Sequence, residues 1–147
     1  MTQAATAEAV LGDFDDVRVD ARGRPYLLEQ VGDVCWVKMH DPDYPVAEET
    51  LMEVPIVMTT GSHHMQVYWY PTGVARTIAQ LPIVYLKETE QWIPRNAAFL
   101  RPPQEVSSEL GRWNEGCSDC HAPHRRKREG AAMVFDTQVA ELGIACE

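Results

Sequence analysis

The chain has 147 residues, 45% of them apolar and 8% aromatic, so it is long enough to bury one modest core and too apolar to stay disordered. Its 22 acidic residues against 13 basic ones leave a net charge of -9, which argues against a partner bound through nucleic-acid phosphates. No run reaches the roughly 18 to 20 apolar residues of a membrane-spanning helix.

The opening stretch, MTQAATAEAVLGDFDD, is Ala-rich without a clear partner face and reads as a short helix or a frayed end. It has no basic n-region, and Glu8 interrupts its apolar part, so it is not a signal peptide. From Val17 the pattern becomes β-like. VRV is followed by YLLEQ and VCWVKM, the last two joined through Val31-Gly32-Asp33, where Gly32 supplies the positive φ of a hairpin turn. VPIVMTT, MQVYWY and LPIVYL predict three further strands. In the second, Met65, Val67 and Trp69 alternate with Gln66, Tyr68 and Tyr70, which predicts one buried and one amphipathic face. Turn signals lie between the runs at 41–45, 60–64, 70–73 and 88–90. After RPPQ, the stretch EVSSELGRWNEG suits a short helix or two turns. The expected fold is therefore α+β and mainly β: a small antiparallel sheet over 1–100, followed by a loop and helix segment over 101–147.

That second segment carries the chemistry. GCSDCHAPHRRKRE holds Cys117, Cys120 and His121 in Cys-x-x-Cys-His spacing. On one helical turn the two sulfurs reach the two vinyl groups of a haem edge while the imidazole rises beneath the iron, which is why this spacing marks covalent haem attachment. Two other chemistries use close thiols. A structural zinc site would take Cys117, Cys120 and His121 or His124, with Cys35 or Cys146 as the spare thiols for a fourth ligand. No second Cys-x-x-Cys or His-x-x-x-His is present to complete the usual paired arrangement. A redox dithiol would follow a strand in a βαβ unit, whereas this pair follows a Pro-rich stretch.

The run WNEGCSDCHAPH, with FDTQVAELGIACE after it and TGSHHMQVYWY and LPIVYLKETEQWIPRNAAFL before it, resembles the soluble multihaem c-type cytochromes of bacteria. In those proteins a small β-rich insert sits between haem-attachment segments. The resemblance covers most of residues 17–147. It implies haem c held by Cys117 and Cys120 with His121 as proximal ligand, export to the periplasm, and electron transfer to a redox partner protein or within a larger redox enzyme. The chain has one complete motif where the family has several. Cys146-Glu147 reads as the first half of another, so a second haem is expected to start at Cys146, on further haem segments of a longer parent chain.

A low-spin haem needs a second axial ligand. His40, His63, His64, His124 and the methionines are the candidates. His124 lies three residues from His121 on the same side of the haem, whereas His63 or His64, in the TGSHHMQ turn, can come over the iron from the far side. The basic run Arg125, Arg126, Lys127, Arg128 is either a solvated face, a counter-charge for haem propionates or a docking patch for an acidic partner. Trp36, Trp69, Trp92 and Trp113 read as packing residues, with Trp113 nearest the porphyrin.

Overall fold

The computed structural model describes residues 2–42, 51–61, 63–74, 77–98, 111–113, 117 and 121, and the backbone of 126–127 and 137–138. Among these, the fold is mainly antiparallel β, as expected, with its strands shared between two sheets. The four-stranded sheet takes β2 (Val17–Ala21), β3 (Arg24–Val31), β4 (Val34–His40) and β5 (Leu51–Pro55) in that order. The five-stranded sheet runs β1 (Thr2–Ala4), β6 (Met58–Thr60), β7 (Met65–Pro71), β8 (Ile78–Leu86) and β9 (Gln91–Pro94). A single turn of helix, α1 (Arg95–Ala98), follows β9, and β10 (Arg126–Lys127) pairs with β11 (Thr137–Gln138).

The four-stranded sheet is a meander closed by two-residue turns. Gly32, at φ +61, opens the turn between Val31 and Val34, the position a type II′ turn reserves for glycine. The preceding turn, Arg22-Gly23, has both residues at positive φ, which matches type I′ and joins VRV to YLLEQ directly. Alternation does the rest: Tyr26 and Leu28 on β3, with Cys35, Val37 and Met39 on β4, all point inward and are buried.

VPIVMTT is not one strand. It divides at Ile56 and Val57 into β5 and β6, so the chain leaves one sheet and enters the other. Ile56 is buried and its N–H donates to the Cys35 carbonyl, while the Val57 N–H donates to Trp69 of the second sheet, so both groups stay paired across the crossing. The opening residues are a strand, not a helix: Thr2–Ala4 adds antiparallel to the edge of β6. A three-residue β6 would otherwise leave that edge unpaired.

The sheets pack face to face. Phe14, Leu28, Val37, Met39, Tyr68, Tyr70, Leu81, Ile83 and Tyr85 belong to one continuous core between them. Gln66 is its most fully bonded polar member, while the Trp92 indole N–H has no partner. The Gln66 amide accepts from Leu11 N–H and Tyr68 O–H and donates to the Ala9 carbonyl, tying residues 9–12 over the strand. Gly12 is required where it crosses, because a Cβ there would lie 2.5 Å from the Trp92 ring.

Strand β7 departs from the sequence expectation: Gln66 to Tyr70 are buried on both faces. Between Val67 and Trp69 the register against β8 jumps from Val84 to Gln80, leaving extra residues on β8 around Pro82. A proline, which has no N–H for the ladder, is accommodated at such a bulge. Because the slip is even, Val67, Trp69, Gln80 and Val84 stay on one face, away from the inter-sheet core.

Candidate haem-attachment site

That second face is covered by the segment bearing the cysteines. Its approach is set at β8. Strand β9 occupies one edge of β8 only as far as Ile83, and beyond that point Arg112 bridges Ala79 while the Gln80 N–H donates to the Gly111 carbonyl at 2.8 Å. Residues 111–112 thus continue the sheet where β9 stops. Arg95, at the start of α1, reaches the Gln80 side-chain carbonyl at 3.5 Å. A Cβ on Gly111 would stand 2.5 Å from that same oxygen, so a larger residue there would push the Gln80 side chain aside.

Trp113 then turns down onto the sheet. It is 4% exposed and completes a second core with Met58, Val67, Trp69 and Val84, against which Cys117, Met65 and Ile93 pack. Its ring meets Trp69 edge to face, centroids 5.2 Å apart and planes at 76°, a preferred aromatic geometry. The Trp69 indole N–H is satisfied by Thr60 Oγ1 at 3.0 Å. The His121 imidazole lies 6.2 Å from Trp113, inclined at 39°. The His121 carbonyl accepts from Thr2 Oγ1 of the edge strand at 3.3 Å.

Cys117 is half-buried. The His121 ring is half-buried too, and its Nδ1 is enclosed with no hydrogen-bond partner. A histidine used only as packing normally has its enclosed ring nitrogens bonded. A thiol at Cys117 and an imidazole at His121 beside Trp113 are the donor types a thioether-linked haem uses. When bound, that group would supply reversible one-electron chemistry at its iron. Cys117 and His121 would hold it together with Cys120.

The other sequence candidates separate by face. Cys35 is 3% exposed in the inter-sheet core, and burial pushes its thiol pKa up. Cys117 lies on the opposite face of the five-stranded sheet, so Cys35 is not available as a fourth ligand to a zinc ion at Cys117. His40 ends β4 on the outer face of the four-stranded sheet, with both sheets between it and His121. Trp36 shares that outer face and Trp92 lies in the inter-sheet core against Phe14 and Tyr85, leaving Trp69 and Trp113 on the side of the motif. His63 and His64 stand exposed in the turn between β6 and β7. No group of three or more possible metal-ligating side chains occurs among the described residues. Cys120, His124, Arg125, Arg128 and Cys146 lie outside those residues, and of Arg126 and Lys127 only the backbone is described. No helix among the described residues is long and apolar enough to cross a membrane.

The sequence reading placed the packing role at Trp113 but missed Gly111, Gln80, Thr2 and Thr60. The Gly-Arg-Trp step six residues before Cys117 was the available signal: a glycine for close backbone approach, then an aromatic to bury. No known protein family, curated protein or solved structure matches the chain.

Proposed function

We propose that this chain is the haem-bearing part of a c-type cytochrome, carrying haem c on Cys117 and Cys120 with His121 as proximal ligand and serving electron transfer within a multihaem protein. The observation that carries the reading is the Cys-x-x-Cys-His spacing, in which the His121 ring, its enclosed Nδ1 without a hydrogen-bond partner, lies beside Trp113. His63 or His64 supplies the distal ligand, and a second haem begins at Cys146. The compartment is the periplasm, where haem is attached, and the electron partner is another redox protein or a neighbouring haem segment of the same parent.

The alternative, a structural zinc module on Cys117, Cys120 and His121 or His124, loses Cys35 as a fourth ligand because Cys35 sits between the sheets. Co-expression with cytochrome-maturation machinery distinguishes the two. A c-type cytochrome retains a Soret band in the denatured polypeptide after acid-acetone extraction, and Cys117→Ser or Cys120→Ser lowers that retention. A colourless protein that yields zinc to a chelator overturns the assignment.

A further inference from the structure

We infer that Thr2 is a positioning residue for His121: its hydroxyl holds the His121 backbone while Trp113 holds the ring, so strand β1 seats the imidazole on the outer face of the five-stranded sheet. That the seated imidazole serves an iron rests on the haem reading above; the seating itself does not.

Register places Thr2 on that face. Thr2 pairs with Thr60, Thr60 with Val67 and Val67 with Val84, giving one row of side chains across β1, β6, β7 and β8. Val67 and Val84 belong to the cluster that Trp113 completes, so Thr2 is the β1 end of the same row. Thr2 is 2% exposed. A hydroxyl so enclosed needs a partner, and Thr2 Oγ1 donates to the His121 carbonyl at 3.3 Å, across 119 positions of chain.

Five residues close a ring of contacts around this point. The His121 ring lies against Trp113, Trp113 meets Trp69 edge to face, and the Trp69 indole N–H donates to Thr60 Oγ1. Thr60 pairs with Thr2, and Thr2 returns to His121. Each hold on His121 is incomplete alone. The contact with Trp113 leaves the backbone free to slide, and the bond from Thr2 leaves the side chain free to turn; together they restrict both. Metal-binding histidines are usually oriented by a hydrogen bond at the second ring nitrogen. His121 Nδ1 has no such partner, and Thr2 and Trp113 take over that task.

The test compares Thr2→Val, which keeps the shape and loses the hydroxyl, with Thr2→Ser, which keeps the hydroxyl. In proton spectra of the unloaded full chain, the His121 ring signals, assigned by their loss in His121→Gln, should be shifted by the Trp113 ring current. Thr2→Val should move them toward random-coil positions while β3 and β4 amide shifts stay native, and Thr2→Ser should restore them. In the haem-loaded chain, Thr2→Val should keep covalent haem but raise the reduction potential, because a loosely seated ligand stabilises ferric iron less; Thr2→Ser should match the wild type. Unshifted His121 signals in the wild type, wild-type signals or potential in Thr2→Val, or no restoration by Thr2→Ser overturns the inference. Absence of covalent haem from the wild type overturns the cofactor reading, and the seating of His121 then stands or falls on the ring-current result.

Discussion

The five-stranded sheet is dry on both faces, but the two faces are closed by different means. Its inner face meets a second sheet, where regular alternation along β3, β4 and β8 supplies matching apolar rows and an aromatic set of Phe14, Tyr68, Tyr85 and Trp92. Its outer face meets no second sheet among the described residues but helical backbone at Trp113, Cys117 and His121. It is covered by residues brought back from beyond position 110, through one bridge at Ala79 and one large side chain, Trp113. The first closure is distributed over many residues. The second is concentrated, and the cysteine-bearing segment depends on it.

The comparison is open to perturbation. Trp113→Ala should cost the most, about 3–5 kcal/mol for a buried aromatic truncated without replacement. Its loss should fall on the outer face: hydrogen exchange should speed up at Thr2–Ala4 and Gly111–Trp113 while β3 and β4 stay protected. Equal loss of protection in both sheets would show that the faces are not separate units. Leu28→Ala, at a fully buried inner position, should cost about 2–5 kcal/mol in chemical denaturation and lower both sheets together. Thr60→Val should cost about 1–3 kcal/mol, because the buried Trp69 indole N–H loses its acceptor. A neutral outcome would mean that the indole finds another partner.

Alkali should act on the inner face alone. Burial holds the Tyr68 phenol far above its ordinary range, and burial likewise raises Tyr26. An unfolded tyrosine ionises near pH 10, whereas these keep their protons. Below about pH 10 both states are protonated and stability is unaffected. As pH rises above that value the unfolded chain binds fewer protons, so stability falls progressively toward the higher folded pKa. Tyrosinate absorbance from these residues should appear only together with loss of the near-ultraviolet dichroism. A complete tyrosine titration in the folded protein would contradict their burial. The outer cluster contains no tyrosine, so its fluorescence contact between Trp69 and Trp113 should survive until the fold is lost.

How much of this was legible in the sequence follows the same division. Period-two alternation located YLLEQ, VCWVKM, MQVYWY and LPIVYL, and Gly32 marked its hairpin, because those signals are local. The break in VPIVMTT was not legible, since Ile56 and Val57 are as strand-like as their neighbours and only the second sheet tells them apart. Thr2–Ala4 carries no strand signal of its own and is ordered by the open edge of β6. Gln66, Tyr68 and Tyr70 suggested an amphipathic face on β7; Gln66 is instead buried because Leu11, Ala9 and Tyr68 take up its hydrogen bonds. The motif itself was fully visible in Cys117, Cys120 and His121. The face on which it rests was not, because that depends on Arg112 meeting Ala79 across 33 positions of chain.

The most direct measurement is the intact mass of the denatured polypeptide after expression with haem-attachment machinery. A haem-bearing segment gives the polypeptide mass increased by one haem, stable to acid and organic solvent, reduced in Cys117→Ser and Cys120→Ser and absent when both cysteines are replaced. An unmodified mass under the same conditions, with both thiols free to alkylation, would contradict covalent haem at this site.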